Sequence, residues 1–320
     1  MNNAERVIVS AKMKAVVIRE YGNNEVVQIE TVDTPEPTTG EVLVRVRAAG
    51  VNPIDWKIRN GAGQRMGLTL PIRMGGELVG TIEQLGAGVG GFEPGDAVFG
   101  MVQTGAFAEY AVAKATNLVR TPSNLSFVEA AALPLAGSTA WQAIFGQAQL
   151  VAGQRLLITN SSGGVGSLAI QFAKAKGAHV TAVASARNAA FVRGLGADAV
   201  IDYTSEPFEK AAQDIDVVLD TVGGETFQRA FQTLKKGGIV VTVVAFPNDE
   251  AERYGVRVTR SATVPNAQNL AAIRGLVEAG QVKPHVEKVL PLEAIQDALA
   301  LSEAGHTRGK IVINVSDHRA

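Results

Sequence analysis

The stretch Arg155-Leu-Leu-Ile-Thr-Asn-Ser-Ser-Gly-Gly-Val-Gly166 decides how the rest of the chain is read. Leu156, Leu157 and Ile158 form a short apolar run of the kind buried on both faces of a parallel sheet. A glycine-rich turn follows at once. Val165, Leu168, Ala169, Phe172 and Ala173 then fall at i, i+3, i+4, i+7 and i+8, the spacing of one helix face. A second strand is predicted through Val180 and Val183. Such a β-turn-α-β unit aims unpaired backbone N–H groups and the positive end of a helix dipole at the turn, where a pyrophosphate binds. The predicted ligand is a dinucleotide.

The dinucleotide fingerprint Gly-x-Gly-x-x-Gly reads here as Ser161-Ser-Gly163-Gly-Val-Gly166, with Ser161 in place of the first glycine. Gly163 still admits the phosphates, and Gly166 still lets helix and strand pack closely. At the end of the second strand, where an acidic residue would bind a ribose 2′-hydroxyl, stands Ala184, followed by Ser185, Ala186 and Arg187. A hydroxyl and a guanidinium with no carboxylate nearby suit a 2′-phosphate, which predicts NADP(H) over NAD(H). Arg187 reads alternatively as a solvated arginine at a helix start. Val217-Val-Leu-Asp220-Thr-Val-Gly-Gly224 is a further strand ending in a polar turn, read either as a wall of the cofactor crevice or as a plain connection.

Composition bounds the rest. At 320 residues the chain predicts about two domains, and its 46% hydrophobic and 19% charged content suits large cores. Thirty basic and 31 acidic residues leave a net charge of −1, which suggests neither nucleic-acid nor membrane-surface partners. Apolar runs such as residues 238–246 are too short to span a bilayer, residues 1–12 show no signal-peptide pattern, and cytoplasmic residence is the default expectation. There is no cysteine, which excludes disulfides, thiolate catalysis and cysteine-ligated zinc. The four histidines, His179, His285, His306 and His318, lie far apart and read as surface or packing residues.

Strand-like runs punctuated by Gly and Pro recur at 15–19, 26–30, 41–48, 78–85, 97–101 and 106–112, predicting a β-rich, barrel-like first part with no helix beyond about two turns. A helix start is predicted at Ser126, with Glu129 three residues on, and another helix over 140–149. Strand and helix then alternate to residue 244, the pattern of a doubly wound parallel sheet. A strand over 255–261 extends it, and a last strand over 310–315 is expected to return to the first part. The expected division is 1–125, completed by 283–320, and 126–282.

Taken together the segments resemble the medium-chain dehydrogenase/reductase superfamily, and within it the zinc-independent quinone oxidoreductase and alkenal/enone reductase branch. The resemblance rests on Ala49-Gly-Val-Asn52-Pro-Ile-Asp55-Trp-Lys57, Gly75-Gly76-Glu77-Leu-Val-Gly80, Gly91-Phe-Glu-Pro-Gly-Asp-Ala-Val-Phe-Gly100, Gly105-Ala-Phe-Ala-Glu-Tyr110, Ala130-Ala-Ala-Leu-Pro134-Leu-Ala-Gly-Ser-Thr139 and Arg308-Gly-Lys310-Ile-Val. It implies an α/β chain: a GroES-like β-rich catalytic domain with a Rossmann coenzyme domain. Zinc-dependent relatives carry a Cys within the segment matching 51–55 and a His where Gly76 stands; both are missing here, so no metal is expected and Glu77 reads as structural.

By resemblance, Asn52 lies beside the nicotinamide and orients either the substrate carbonyl or the ribose. Lys57 is the candidate donor to a developing enolate, or else a solvated lysine; Trp56 walls the pocket or packs in the core. Thr139 is expected on the nicotinamide side, or as a simple helix cap. Ser162, Gly163, Gly164 and Val165 are expected on the pyrophosphate, and Ser185 and Arg187 on the 2′-phosphate. Tyr203 is expected near the adenosine, or as a half-buried strand-end tyrosine. Asp220 and Val222, with Val244, Ala245 and Phe246, are expected to flank the ribose and carboxamide, and Arg308 to reach a phosphate from across the cleft. The implied activity is NADPH-dependent hydride transfer to quinones or to the C=C bond of α,β-unsaturated carbonyls, in a homodimer pairing through 255–261. A non-catalytic NADPH-binding protein and an enoyl-thioester reductase are the alternatives.

Overall fold

In the computed structural model the structure describes residues 11–315; His318 and residues 1–10 lie outside them. Eight strands come first: β1 (Lys12–Ile18), β2 (Val27–Asp33), β3 (Glu41–Val51), β4 (Ile72–Arg73), β5 (Glu77–Leu85), β6 (Ala97–Met101), β7 (Tyr110–Lys114) and β8 (Leu118–Arg120). Six follow in the middle of the chain: β9 (Arg155–Ile158), β10 (His179–Ala184), β11 (Ala199–Asp202), β12 (Ile215–Asp220), β13 (Leu234–Thr242) and β14 (Arg257–Arg260). β15 (Val286–Pro291) and β16 (Lys310–Asn314) close it.

The middle six form one parallel sheet in the order β11-β10-β9-β12-β13-β14. β9 lies at its centre, and Leu156, Leu157 and Ile158 are fully buried, as the unbroken apolar run requires. The order reverses direction at β9, so the crevice beyond the carboxyl ends of β9 and β12 is a topological switch point, where α/β sheets bind ligands. The helix Gly164–Ala175 follows β9 and buries Leu168, Ala169, Phe172 and Ala173.

The first strands build a seven-stranded sheet, β15-β16-β3-β5-β6-β8 with β7 on β3, and a smaller sheet β2-β1-β4. β16 runs antiparallel to β3, pairing Val312 with Gly50, so the end of the chain returns to the sheet laid down at its start. Ser126 caps the helix Phe127–Ala130 in the expected reciprocal arrangement with Glu129.

Two expectations change. Residues 53–65 are helical almost throughout, with a kink where Gly61 takes φ +105°; Pro at the first helical position and that glycine disguised the tract as loop. The helix expected over 140–149 begins earlier, at Pro134, and runs to Trp141 before a wider turn over Gln142–Gln147. Among the described residues no helix is long and apolar enough to cross a membrane.

Candidate active site

The two parts enclose a cleft of about 1330 Å³. Asn52, Lys57, Thr139, Gly163, Gly164, Val165, Val244 and Phe246 all line it, although they come from segments scattered over the chain.

The turn after β9 takes the strand-turn-helix form that its spacing predicted, with a local adjustment. Asn160 adopts a left-handed φ of +47°, a conformation its short amide side chain tolerates. Ser161 is buried and its hydroxyl donates to the Ile158 carbonyl at 2.6 Å, closing the turn where a glycine usually stands. At Gly166 a Cβ would lie 2.5 Å from the Asn160 carbonyl oxygen and 2.7 Å from Ser161 Cα, so only glycine lets the helix approach the strand. The returning segment seals the turn from the far side: Gly309 N–H donates to the Ser162 carbonyl at 2.8 Å.

Three predicted residues, Ser162, Ser185 and Arg308, converge on a fourth that sequence reading missed. Asn188 Nδ2 donates to Ser162 Oγ at 2.9 Å and to Ser185 Oγ at 3.4 Å, while its Oδ1 accepts from Arg308 Nε at 3.0 Å. Arg187 Nη2 reaches the His306 carbonyl of the same returning segment at 3.5 Å. Arg308 thus arrives from across the cleft, its guanidinium 5.2 Å from the Phe191 ring centroid. The expectation of no carboxylate here is corrected. Asp202, at the end of the neighbouring strand β11, accepts from Ala186 N–H at 3.1 Å. Bonds from the Thr204 hydroxyl and N–H turn that carboxylate into its own loop and hold it below the ordinary carboxylate range. Tyr203, 56% exposed, stands beside this group.

Asp220 is placed differently from expectation. Its carboxylate is wholly buried and accepts from the Thr159 and Thr242 hydroxyls and from Val222 and Gly223 N–H. It organises the turn after β12 and is not presented to the cleft, where Thr221 stands instead. Val222 is half exposed outside the lining, and Ala245 packs against the core cluster on the opposite side of the sheet. Thr139 lies in the helix Pro134–Trp141, not at its cap, and its hydroxyl is paired with that of Thr263 at 2.7 Å.

The floor of the cleft is a buried ionic group. Lys310 Nζ donates to Val51 O at 2.7 Å, to Asn52 Oδ1 at 2.5 Å and to Glu77 Oε1 at 2.8 Å. Glu77 also accepts from Asn52 Nδ2 at 2.6 Å and from Leu135 N–H at 2.6 Å. Asp55 accepts from Asn52 N–H at 2.8 Å, and burial pushes its carboxyl up to about 7. Lys310 was read only as part of a terminal pattern; its partner Glu77 lies 233 positions away, beyond any local signal. Ser261, also missed, lines the cleft with a buried hydroxyl that has no hydrogen-bond partner among the described residues.

Residues 38–123 match the family described as alcohol dehydrogenase GroES-like domain, and residues 195–313 that described as zinc-binding dehydrogenase. The zebrafish (Danio rerio) mitochondrial NAD(P)H oxidoreductase RTN4IP1 is 34% identical over 95% of this chain and 92% of its own length. The chain belongs to the medium-chain dehydrogenase/reductase superfamily. Within it, the zinc-independent quinone oxidoreductase branch fits best: the quinone oxidoreductase of Coxiella burnetii superposes with a TM-score of 0.90 at 34% identity, covering 95% of this chain and all of that one. The chloroplastic NADPH-dependent alkenal/one oxidoreductase of Arabidopsis thaliana is 34% identical over 94% of this chain and 79% of its own length. This superfamily member is an oxidoreductase that binds a nicotinamide cofactor.

The zinc of other superfamily members does not fit here. The cysteine that the resemblance expects within 51–55 and the histidine it expects at Gly76 are both missing, and the Lys310 ammonium already fills the oxygen nest made by Val51, Asn52 and Glu77. A dication there would face a buried positive charge. The nicotinamide cofactor does fit: the glycine turn and the unpartnered Ser261 hydroxyl line the cleft at the switch point, and the Asn188 cluster adjoins that turn through Ser162.

Proposed function

We propose that this chain is an NADPH-dependent, metal-free reductase of quinones and of the C=C bond of α,β-unsaturated carbonyls. One observation carries the choice of cofactor: Ser185, Arg187 and Arg308 gather at the carboxyl end of β10, around Asn188. A 2′-phosphate there gains charge-assisted partners from two guanidinium groups. The relative named as NADPH-dependent supports the same choice. In this reading Ser162, Gly163, Gly164 and Val165 hold the pyrophosphate, Tyr203 covers the adenosine, and Thr139, Val244 and Phe246 border the nicotinamide. Asp220, Val222 and Ala245 contribute only through the backbone of their turns.

Bound in this crevice, the reduced cofactor supplies a hydride to an acceptor that is already electrophilic. The protein positions that acceptor and stabilises the oxyanion that develops. Both Asn52 Nδ2 hydrogens are committed, to Gly50 O and Glu77 Oε1, so Asn52 has only a free lone pair on Oδ1 to offer. That suits a ribose hydroxyl rather than a substrate carbonyl. Lys57 makes no ion pair among the described residues and is the donor for the enolate or quinol oxygen. Met74, Met101, Val102 and Leu135 line the cleft and exclude water.

In this reading acceptor binding belongs to 1–125 with 283–320 and cofactor binding to 126–282. The protein acts as a cytoplasmic homodimer in the same reading: β14 is an edge strand with an unpaired side, and a second copy would cover it. The deciding experiment follows NADPH oxidation with a panel of quinones, 2-alkenals and enones. Turnover of at least one class is expected; tight NADPH binding without turnover of any would leave only a binding protein.

A further inference from the structure

The cleft carries an imbalance of charge that the reduction itself does not use. Arg65, at the end of the 53–65 helical tract, Arg73 in β4 and Arg260 at the end of β14 all line it. All three are exposed, and none has a carboxylate partner among the described residues. Arg260 lies instead over the Phe246 ring, 4.3 Å from its centroid, and Phe246 is 78% exposed. The lining carboxylates are committed elsewhere: Glu41 accepts from Thr38, and Asp55 is buried on Asn52 N–H. The cofactor's 2′-phosphate has its own arginines, Arg187 and Arg308, outside this lining.

Unpaired guanidinium groups in a cleft with low-dielectric walls raise the local concentration of anions and steer them inward. Arg65 and Arg73 come from the β-rich part and Arg260 from the parallel-sheet part, so a ligand bound by all three bridges the cleft. An acceptor that is only a neutral quinone or enone leaves them without purpose. We infer that the physiological acceptor carries an anionic group, a carboxylate or a phosphate ester, received by Arg65, Arg73 and Arg260 while its conjugated carbonyl enters between Met74, Val102 and Leu135. This rests on the reductase reading above and narrows its substrate class. The apolar lining binds the reacting end, and the arginines select for the remote charge, whose binding positions the double bond.

The test compares a 4-oxo-2-alkenoic acid with its methyl ester under NADPH, with the coenzyme A thioester of a 2-alkenoic acid as a third arm. The ester is intrinsically the more electrophilic, so any preference for the acid reports binding. At low salt, kcat/KM for the free acid is expected to exceed that for the ester about tenfold, with the gap closing at about 0.5 M salt. Combined Arg65→Gln, Arg73→Gln and Arg260→Gln is expected to bring the ratio down to one or below, where the ester's greater electrophilicity alone sets it. Lys236→Gln, an exposed lysine outside the cleft, is expected to leave the ratio unchanged. A thioester that outpaces the free acid and loses the same advantage in the triple variant identifies phosphate as the anion. Turnover of neutral quinones with no acid or thioester preference, or a preference surviving the triple variant, overturns this inference alone. Absence of turnover with every acceptor, neutral ones included, overturns the reductase reading and this inference with it.

Discussion

Lys310 Nζ lies 2.8 Å from Glu77 Oε1, and both side chains are almost wholly shielded from solvent. The pair joins the last strand of the chain to β5, and both members hydrogen-bond the Asn52 side chain at the floor of the cleft. Removing one member leaves the other as an uncompensated buried charge. Lys310→Met is therefore expected to cost about 3–5 kcal/mol, and combining it with Glu77→Gln to recover a substantial part. Urea denaturation of the three variants checks this. A double variant no more stable than Lys310→Met would mean that the cost lies in packing rather than charge.

Asp55 makes stability depend on pH in an unusual direction. Burial raises its carboxyl to about 7, opposed by the Asn52 N–H and by Lys310, with Glu77 adding to the rise; unfolded, it returns to about 3.8. Between those values the native state holds a proton that the unfolded state has lost, so this group's contribution to stability falls as pH rises and levels off above 7. Asp55→Asn removes the titration and can still accept from Asn52 N–H. The stability of the variant relative to the parent is expected to increase from pH 4 to 7, by up to about 1.4 kcal/mol per pH unit. A flat difference curve from denaturation across that window would show that Asp55 does not titrate there.

The close approach at Gly166 has a direct consequence. The atoms that a Cβ would meet, Asn160 O and Ser161 Cα, are backbone and cannot rotate away. Gly166→Ala is expected to cost about 1–3 kcal/mol and to weaken NADPH binding by reshaping the turn. Thermal unfolding and fluorescence titration read the two effects, and full retention of both would refute the packing argument.

Arg187 is exposed and, among the described residues, hydrogen-bonds only a backbone carbonyl, so its removal perturbs ligand binding more than folding. Arg187→Ala is expected to raise the Kd for NADPH about tenfold while changing that for NADH less than about twofold. Equal weakening of both cofactors in paired titrations would reject the 2′-phosphate assignment, and the nearby Asp202 would then mark a site for the unphosphorylated ribose.

Much of the architecture was legible because its signals are local. The apolar run at β9, the helix spacing from Val165 to Ala173 and the Ser126–Glu129 cap each depend on residues within a few turns of one another. The 53–65 helical tract escaped because a proline opens it and Gly61 breaks its regularity. Asp220 stands at a position that suggests ligand contact, yet its carboxylate saturates its own turn; spacing locates a residue but not where its side chain points. Asp202 came within reach of the Ser185–Arg187 loop only because β11 lies beside β10 in the sheet.

The sequence by itself determined the parallel-sheet unit, its glycine-rich turn and the lack of any cysteine for a zinc site, since each is written in neighbouring residues or in composition. Only the tertiary structure decided what the charged groups meet: Lys310 with Glu77, Arg308 with Asn188, and Arg65, Arg73 and Arg260 along one cleft. The reason is physical. A charged side chain takes its meaning from the partners and the dielectric around it, and here those partners arrive from the opposite end of the chain when β16 pairs with β3.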